Sequence, residues 1–424
     1  MAQMTGAQGL TETLIAHDVD TLFGLPGVQL DNLFSAFFDA GDRLRVVHAR
    51  HEQGAAYMAV GYAASSGRVG CYAVVPGPGF LNTTAALSTA YARNDKVLAV
   101  AGQIPSALIG RGFGLLHEIP DQLGTMQSLS KWAARIDGPA ETPGIVAEAF
   151  RQMHTGRPRP AGLEISMDVL GGKAHMDIPK PPASYAKPPV DLDGVARAAE
   201  ILSKAKNPMI VIGSGALDAG AQVQAMAELL EAPVLANRMG RGILDARHHL
   251  SVTNWVGHKL WAEADAVLAV GTRLQMPQMQ WGLDKELHVV RVDMDAKELK
   301  RFAPPAVGIQ GDAELVLAAL HDETGKHNLK RPSREDEMKG LENELHQAMD
   351  YLHPQLDFIQ VLREELPEDG ILVDELTQMG YVGRQIFPVY TPRTYLVSGY
   401  QGTLGWGLAT SLGVKLANPD KQVV

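Results

Sequence analysis

Arg45-Val46-Val47-His48-Ala49, followed by His51-Glu52-Gln53-Gly54-Ala55-Ala56-Tyr57-Met58-Ala59-Val60-Gly61-Tyr62-Ala63, is the stretch that decides the fold. The first five residues form a β-branched apolar run of strand length. The glycine- and alanine-rich residues after it read as a helix over 52–65. Working outward, strand-like runs recur at 21–25, 71–75 and 97–101. Helical patterns fall between them at 9–17, 29–40 and 82–93. This alternation predicts a parallel sheet with helices on both faces.

The same rhythm returns later. Pro208-Met209-Ile210-Val211-Ile212, Val234-Leu235-Ala236, Ala266-Val267-Leu268-Ala269-Val270 and His288-Val289-Val290-Arg291-Val292-Asp293 read as strands of a second unit. Gly370-Ile371-Leu372-Val373-Asp374 starts a third. Between the first two lies Ile178-Pro179-Lys180-Pro181-Pro182, closing on Pro188-Pro189; it can continue neither a helix nor a central strand and reads as a linker. Arg331-Pro332-Ser333-Arg334-Glu335-Asp336-Glu337 marks the second boundary, a charged loop entering a solvated helix over 335–351. The expected layout is three consecutive doubly wound α/β domains with parallel sheets, at residues 1–178, 190–321 and 352–424.

Bulk properties bound the function. A chain of 424 residues with 46 % hydrophobic and 20 % charged residues has the composition of an ordinary soluble globular protein. Its net charge of −10 argues against nucleic acid or an anionic membrane as partner. One cysteine, Cys71, excludes an internal disulfide and suits a reducing cytoplasm. The histidines show no metal-ligand spacing.

Several turns sit where the strands end. Pro26-Gly27-Val28 follows the first strand, Pro76-Gly77-Pro78-Gly79 with Asn82 follows the third, and Gly102-Gln103 follows the fourth. Carboxyl ends of parallel strands are where ligands bind, although ordinary turn chemistry also selects proline and glycine. Glu52, on its own, reads equally as a first-turn glutamate favoured by the helix dipole.

Taken together, Glu52 and the Pro76–Asn82 turn resemble the pyrimidine-binding domain of thiamine-diphosphate enzymes of the acetolactate synthase-like decarboxylase and carboligase family. The resemblance extends over nearly the whole chain. It implies that Glu52 hydrogen-bonds the cofactor's pyrimidine ring, that Pro26, Gly27, Val28, Pro78, Gly79 and Asn82 line the ring or the substrate, and that Gln103 lies near the reacting centre. In the segment Gly110-Arg111-Gly112-Phe113-Gly114-Leu115-Leu116-His117-Glu118, the family's synthases carry Phe-Gln-Glu and its pyruvate decarboxylases a histidine pair. Leu116-His117-Glu118 departs from both, and His117 is a candidate proton carrier or a structural histidine. Gly402-Thr403-Leu404 matches the segment that wedges the cofactor, with Leu404 as the wedge. Glu375, Thr377 and Gln378 match the diphosphate loop, with Thr377-Gln378 in place of a commoner Gln-His.

The resemblance further implies thiamine diphosphate with Mg²⁺, a 2-oxo acid or related carbonyl substrate, and a homodimer or homotetramer. It leaves open FAD in the central domain near Gly213-Ser214-Gly215, Met239-Gly240-Arg241-Gly242 and Gly271-Thr272-Arg273. By family spacing the metal-binding Gly-Asp-Gly motif falls just past Val424, so the third domain is expected to be incomplete and no metal ligand is assigned. Two alternatives stand beside this reading: a lyase or C–C hydrolase acting on a CoA thioester or diketone, and a non-catalytic relative lacking the diphosphate motif.

Overall fold

The computed structural model describes residues 2–282 and 286–424. Two compact units emerge, one comprising the chain to Ala186 together with Ser398–Val423, the other Lys187–Val397 with Val424.

The first unit opens with β1 (Ala2–Thr5), which pairs antiparallel with β8 (Lys173–Met176). Thr5 and Gln8 close a reciprocal capping box that starts α1 (Gly6–Ala16). There follow β2 (Thr21–Gly24), α2 (Asp31–Asp39), β3 (Arg45–His48), α3 (Glu52–Ser66), β4 (Gly70–Val74), α4 (Pro78–Arg93) and β5 (Val97–Gln103). Then come α5 (Gln122–Leu129), β6 (Trp132–Ile136), α6 (Thr142–His154), β7 (Ala161–Ser166) and α7 (Met167–Gly171). Six of these strands form one parallel sheet in the order β3-β2-β4-β5-β7-β6. Strand order therefore reverses between β2 and β4, which opens a crevice beyond their carboxyl ends.

Three helix boundaries differ from the sequence reading, the first being α1, which begins at Gly6 rather than Gly9 behind the Thr5 cap. Helix α4 begins at Pro78 rather than Asn82, because proline is tolerated at the first helical position, where its missing N–H has no partner to lose. The helix expected over 29–40 is split into a 3₁₀ turn, Val28–Leu30, and α2.

A ladder of rings closes one side of this unit. His17 stacks on Phe150 at 4.3 Å, and His154 stacks on Tyr185 of the linker at 4.7 Å. Burial pushes both histidines below the ordinary imidazole value; Asp18 opposes this at His17, while Lys96 adds to it at His154. A depressed imidazole is neutral in the fold while the unfolded chain takes up protons. Stability is therefore full above the ordinary value of 6.5 and declines as pH falls below it. The expected result is a melting temperature that drops between pH 7 and pH 5, with a shallower slope in His17→Phe and His154→Phe. Equal slopes in wild type and both variants would refute it.

The second unit carries α8 (Leu192–Lys204), β9 (Pro208–Ile212), α9 (Gly220–Leu230), β10 (Val234–Ala236), β11 (Ser251–Val252), α10 (Asn254–Trp261), β12 (Ala266–Val270) and β13 (His288–Asp293). It continues with α11 (Ala296–Leu299), β14 (Val307–Gln310) and α12 (Ala313–Gly325). Its parallel sheet runs β11-β10-β9-β12-β13-β14. The charged run before α13 (Glu335–Met349) serves the fold. Arg331 donates to the carbonyls of Leu202 at 3.0 Å and Ser203 at 3.3 Å, satisfying the open C-terminus of α8.

After α14 (Gln355–Glu365) come β15 (Leu372–Val373), α15 (Gln378–Ile386) and β16 (Tyr395–Leu396). Strand β15 pairs with β16, and Val373 N donates to the carbonyl of Val424 at 2.7 Å. A buried ion pair stands behind this small sheet. Arg384 grips Asp374 through two hydrogen bonds of 2.6 and 2.7 Å, and the Tyr395 hydroxyl donates to the same carboxylate at 3.0 Å.

The last helix, α16 (Gly407–Ala417), belongs to the first unit and lies across α3. The two backbones touch. A Cβ on Gly61 would stand 2.1 Å from the Thr410 carbonyl oxygen, and one on Gly413 would stand 1.9 Å from that of Met58. Helix α3 is buried along nearly its whole length, which explains why its sequence is apolar all round.

Candidate active site

Beyond the carboxyl ends of the first sheet's strands, Glu52, Gly79 and Asn82 come together, and Gly77 approaches the His117 backbone. Glu52 is the first residue of α3, which His51 caps by accepting from Gln53 N at 3.2 Å. The Glu52 side chain is partly buried, and its Oε2 accepts from Asn82 Nδ2 of α4 at 3.0 Å. Its Oε1 has no hydrogen-bond partner among the described residues and looks across Gly79, where a Cβ would stand 3.7 Å away.

The turns are kept bare by necessity. Gly77 has φ +57°, and a Cβ there would stand 2.3 Å from the His117 carbonyl oxygen. A Cβ on Gly27 or Gly79 would strike a methyl of Val75 at 2.4 or 2.5 Å. Only glycine lets the Pro26–Val28 and Pro76–Gly79 turns approach so closely, and the result is a shallow floor beside a carboxylate.

His117 sits at the margin of this floor with φ +70°. Its loop is held by Glu118, whose carboxylate accepts from Gly112 N at 3.1 Å and Leu115 N at 2.9 Å. Gln29, buried beneath the loop, donates from Nε2 to the Leu116 carbonyl at 3.3 Å. Its Oε1, an acceptor, therefore faces His117 Nδ1 at 3.2 Å, which places the hydrogen of a neutral imidazole on Nδ1 and leaves Nε2 as an acceptor.

Gln103 is buried, and its Oε1 accepts from Ile104 N at 2.8 Å. Gly402, Thr403 and Leu404 also belong to the first unit. Thr403 Oγ1 lies 3.2 Å from Thr89 Oγ1 of α4, and Leu404 is 72 % exposed, open to contact by a ligand. Glu375, Thr377 and Gln378 belong to the second unit. Thr377 caps α15 by accepting from Gly380 N at 3.1 Å, and Gln378 accepts from Gln355 at 2.7 Å.

In the central sheet, strand order reverses between β9 and β12. There a Cβ on Gly213 would stand 2.5 Å from the Gly271 carbonyl oxygen, and one on Gly215 would stand 2.6 Å from Gly271 Cα. Backbone packing accounts for these glycines. Among the described residues no three His, Cys, Asp or Glu side chains gather to hold a metal ion.

Gln29 and Gln122 escape a reading of the sequence, as does the buried Glu164. Polar residues in apolar or turn contexts carry no local signal of what they bond. Gln122 directly follows the loop of His117, and that proximity is the one available hint.

Comparison with known proteins bears on this arrangement. Residues 4–126 match the family model described as thiamine pyrophosphate enzyme, N-terminal TPP binding domain. Residues 195–320 match the central domain of the same enzymes, and residues 375–424 match the C-terminal TPP binding domain. The chain is 33 % identical to a probable 2-ketoarginine decarboxylase of Pseudomonas aeruginosa, over 99 % of its own length and 76 % of that protein. It is 32 % identical to an acetolactate synthase of Arthrospira platensis, with 99 % and 76 % covered. With a sulfoacetaldehyde acetyltransferase of Castellaniella defragrans the identity is 29 %, with 100 % and 76 % covered.

Proposed function

The chain belongs to the thiamine pyrophosphate enzyme family and is a thiamine-diphosphate-dependent enzyme of 2-oxo acid decarboxylation or carboligation; from this premise we propose that Glu52 is its proton-sharing carboxylate. The observation that carries this reading is the Glu52–Asn82 couple, with Oε1 free over the bare glycine floor. A flat heteroaromatic ring fits such a floor, and a carboxylate at its edge fits a ring nitrogen. Pro26, Gly27, Val28, Pro78 and Gly79 would line the ring, and Leu404 would support it. Similar enzymes place the pyrimidine end on one subunit and the diphosphate end on another, so Glu375, Thr377 and Gln378 would meet the diphosphate of a cofactor whose ring a partner copy holds. When bound, the cofactor supplies an electron sink for the pair left as CO₂ departs.

The protein's own part is to hold the ring, exclude water and move protons. Asn82 fixes one oxygen of Glu52, so the other is aimed rather than free to rotate. His117, with Nε2 left as an acceptor, would take or return a proton, and Gln103, at the end of β5, would lie near the reacting centre. His117→Ala should lower kcat roughly 10²-fold, the scale for a positioned acid–base group. Cofactor affinity should be unchanged; wild-type kinetics from pH 6 to 8 would assign His117 a structural role.

Mg²⁺ is the counter-ion we propose for the diphosphate, and no step is assigned to it. The glycine crossing of the central sheet is explained by packing and carries no argument for the flavin that the resemblance leaves open. The three-domain division at 1–178, 190–321 and 352–424 is proposed as the functional layout. A homodimer or homotetramer is supported by the apolar stripe of Leu404, Leu408 and Leu412, exposed by 72, 78 and 52 %. Cytoplasmic residence is supported by the single free thiol of Cys71. No helix among the described residues is long and apolar enough to cross a membrane.

The reading is tested by calorimetry with thiamine diphosphate and Mg²⁺, followed by CO₂ release from a panel of short, branched and basic 2-oxo acids. Cofactor binding with turnover of at least one acid is expected. No turnover of any acid by a protein that binds the cofactor, or turnover that Glu52 variants leave untouched, would overturn it.

A further inference from the structure

Beneath the Pro76–Gly79 turn lies a polar network that the mechanism above does not use. Gln122, only 2 % exposed, accepts from Gly77 N at 2.9 Å through Oε1. Its Nε2 donates to the Gly102 carbonyl at 2.9 Å and to Glu164 Oε2 at 3.0 Å. Glu164 on β7 is fully buried, and Arg135 on β6 donates to its other oxygen at 2.5 Å.

Every partner dictates the orientation of this amide. The Gly77 N–H can only donate, so it must meet oxygen; the Gly102 carbonyl and the carboxylate can only accept, so they must meet nitrogen. Arg135 in turn offsets part of the cost of keeping the Glu164 carboxylate away from water. An apolar side chain of the same size would fill the volume but would take the acceptor from the Gly77 N–H and a donor from both the Gly102 carbonyl and the buried Glu164 carboxylate.

The two backbone groups so joined belong to different parts of the site. Gly77 opens the turn that carries Gly79 and, one helical turn on, Asn82, the partner of Glu52. Gly102 directly precedes Gln103. We propose that Gln122 is a positioning residue of the reaction: its amide, oriented by Glu164 and Arg135, sets the distance between the Asn82–Glu52 couple and the end of β5. The inference rests on the assignment of Glu52 as the proton-sharing group.

The test compares Gln122→Met, which keeps the volume, with Gln122→Glu, in the holoenzyme. The readouts are kcat and KM, thiamine diphosphate affinity by calorimetry, and hydrogen–deuterium exchange at C2 of the bound cofactor without substrate. Gln122→Met should slow exchange and kcat roughly 10²-fold, the scale for a misplacement of about 1 Å, with KM nearly unchanged. In Gln122→Glu two carboxyl groups face each other and must share a proton to coexist. The shared proton restores one donor and one acceptor, so exchange should recover toward wild type as pH falls from 8 to 6. The charged groups around this site are Glu164 on β7, Arg135 on β6 and Asp121, whose carboxylate caps its own helix at Gly124 N. His117, whose backbone abuts Gly77, is common to wild type and variant and cancels in their ratio.

Wild-type exchange and kcat in a folded Gln122→Met would overturn the proposal. Should that variant fail to fold, Gln122→Glu decides: an exchange ratio to wild type that does not change with pH overturns it. Wild-type exchange in Glu52→Gln would instead defeat the underlying assignment, so the two failures are distinguishable.

Discussion

Glu52→Gln is expected to reduce turnover roughly 10²–10⁴-fold, the range for loss of a positioned proton-transfer group, while the protein stays folded. Glutamine keeps the shape of the side chain and can still hydrogen-bond both Asn82 and a ring nitrogen. It cannot share a proton. The defect should therefore appear before any substrate is added, as slow exchange of the C2 proton of bound thiamine diphosphate, measured by quenching and NMR. Asn82 keeps a partner in the variant, so cofactor affinity should fall much less than turnover. Wild-type exchange would mean that another group activates the cofactor.

The second large effect is on stability. Asp374, Arg384 and Tyr395 are 4, 8 and 4 % exposed, so the carboxylate depends on protein groups rather than water for its hydrogen bonds. Arg384→Ala would take both guanidinium hydrogen bonds and the counter-charge from a buried carboxylate, a change that costs about 3–5 kcal/mol in comparable sites. The expected result is a large fall in the urea midpoint of the transition reporting β15 and β16. The double variant Asp374→Asn with Arg384→Met should recover most of the loss, because it removes both charges together. A single variant that unfolds at the wild-type midpoint would show that solvent reaches the pair.

Much of the first sheet is legible in the sequence. Strands β2 to β5 are short apolar runs between helices of clear composition, and the ends of each run fall within two residues of the strand's own. The stretch from α5 to β8 is not legible in this way. Strand β7 reads Ala161-Gly162-Leu163-Glu164-Ile165-Ser166, and a glutamate inside the run disguises a strand whose six residues are all buried. That glutamate is tolerable only because Gln122 and Arg135 arrive from elsewhere in the chain. The start of α4 is hidden because Pro76-Gly77-Pro78-Gly79 satisfies the requirements of a turn and of a helix entry alike. Within the candidate site, Glu52 and the glycine turns stand out only through their likeness to the family's motifs. The Gln29–His117 contact spans 88 positions and has no local trace.

The crossing of α3 and α16 has a consequence for how such an enzyme diversifies. Backbone resting on backbone has no rotamers to adjust, so the join acts as a fixed datum between Glu52, at the head of α3, and Leu404, just ahead of α16. Loops such as Gly110–Glu118 can change length or side chains without disturbing that reference. An alanine at Gly61 or Gly413 would displace both ends at once, and no second change at the rim could restore them separately.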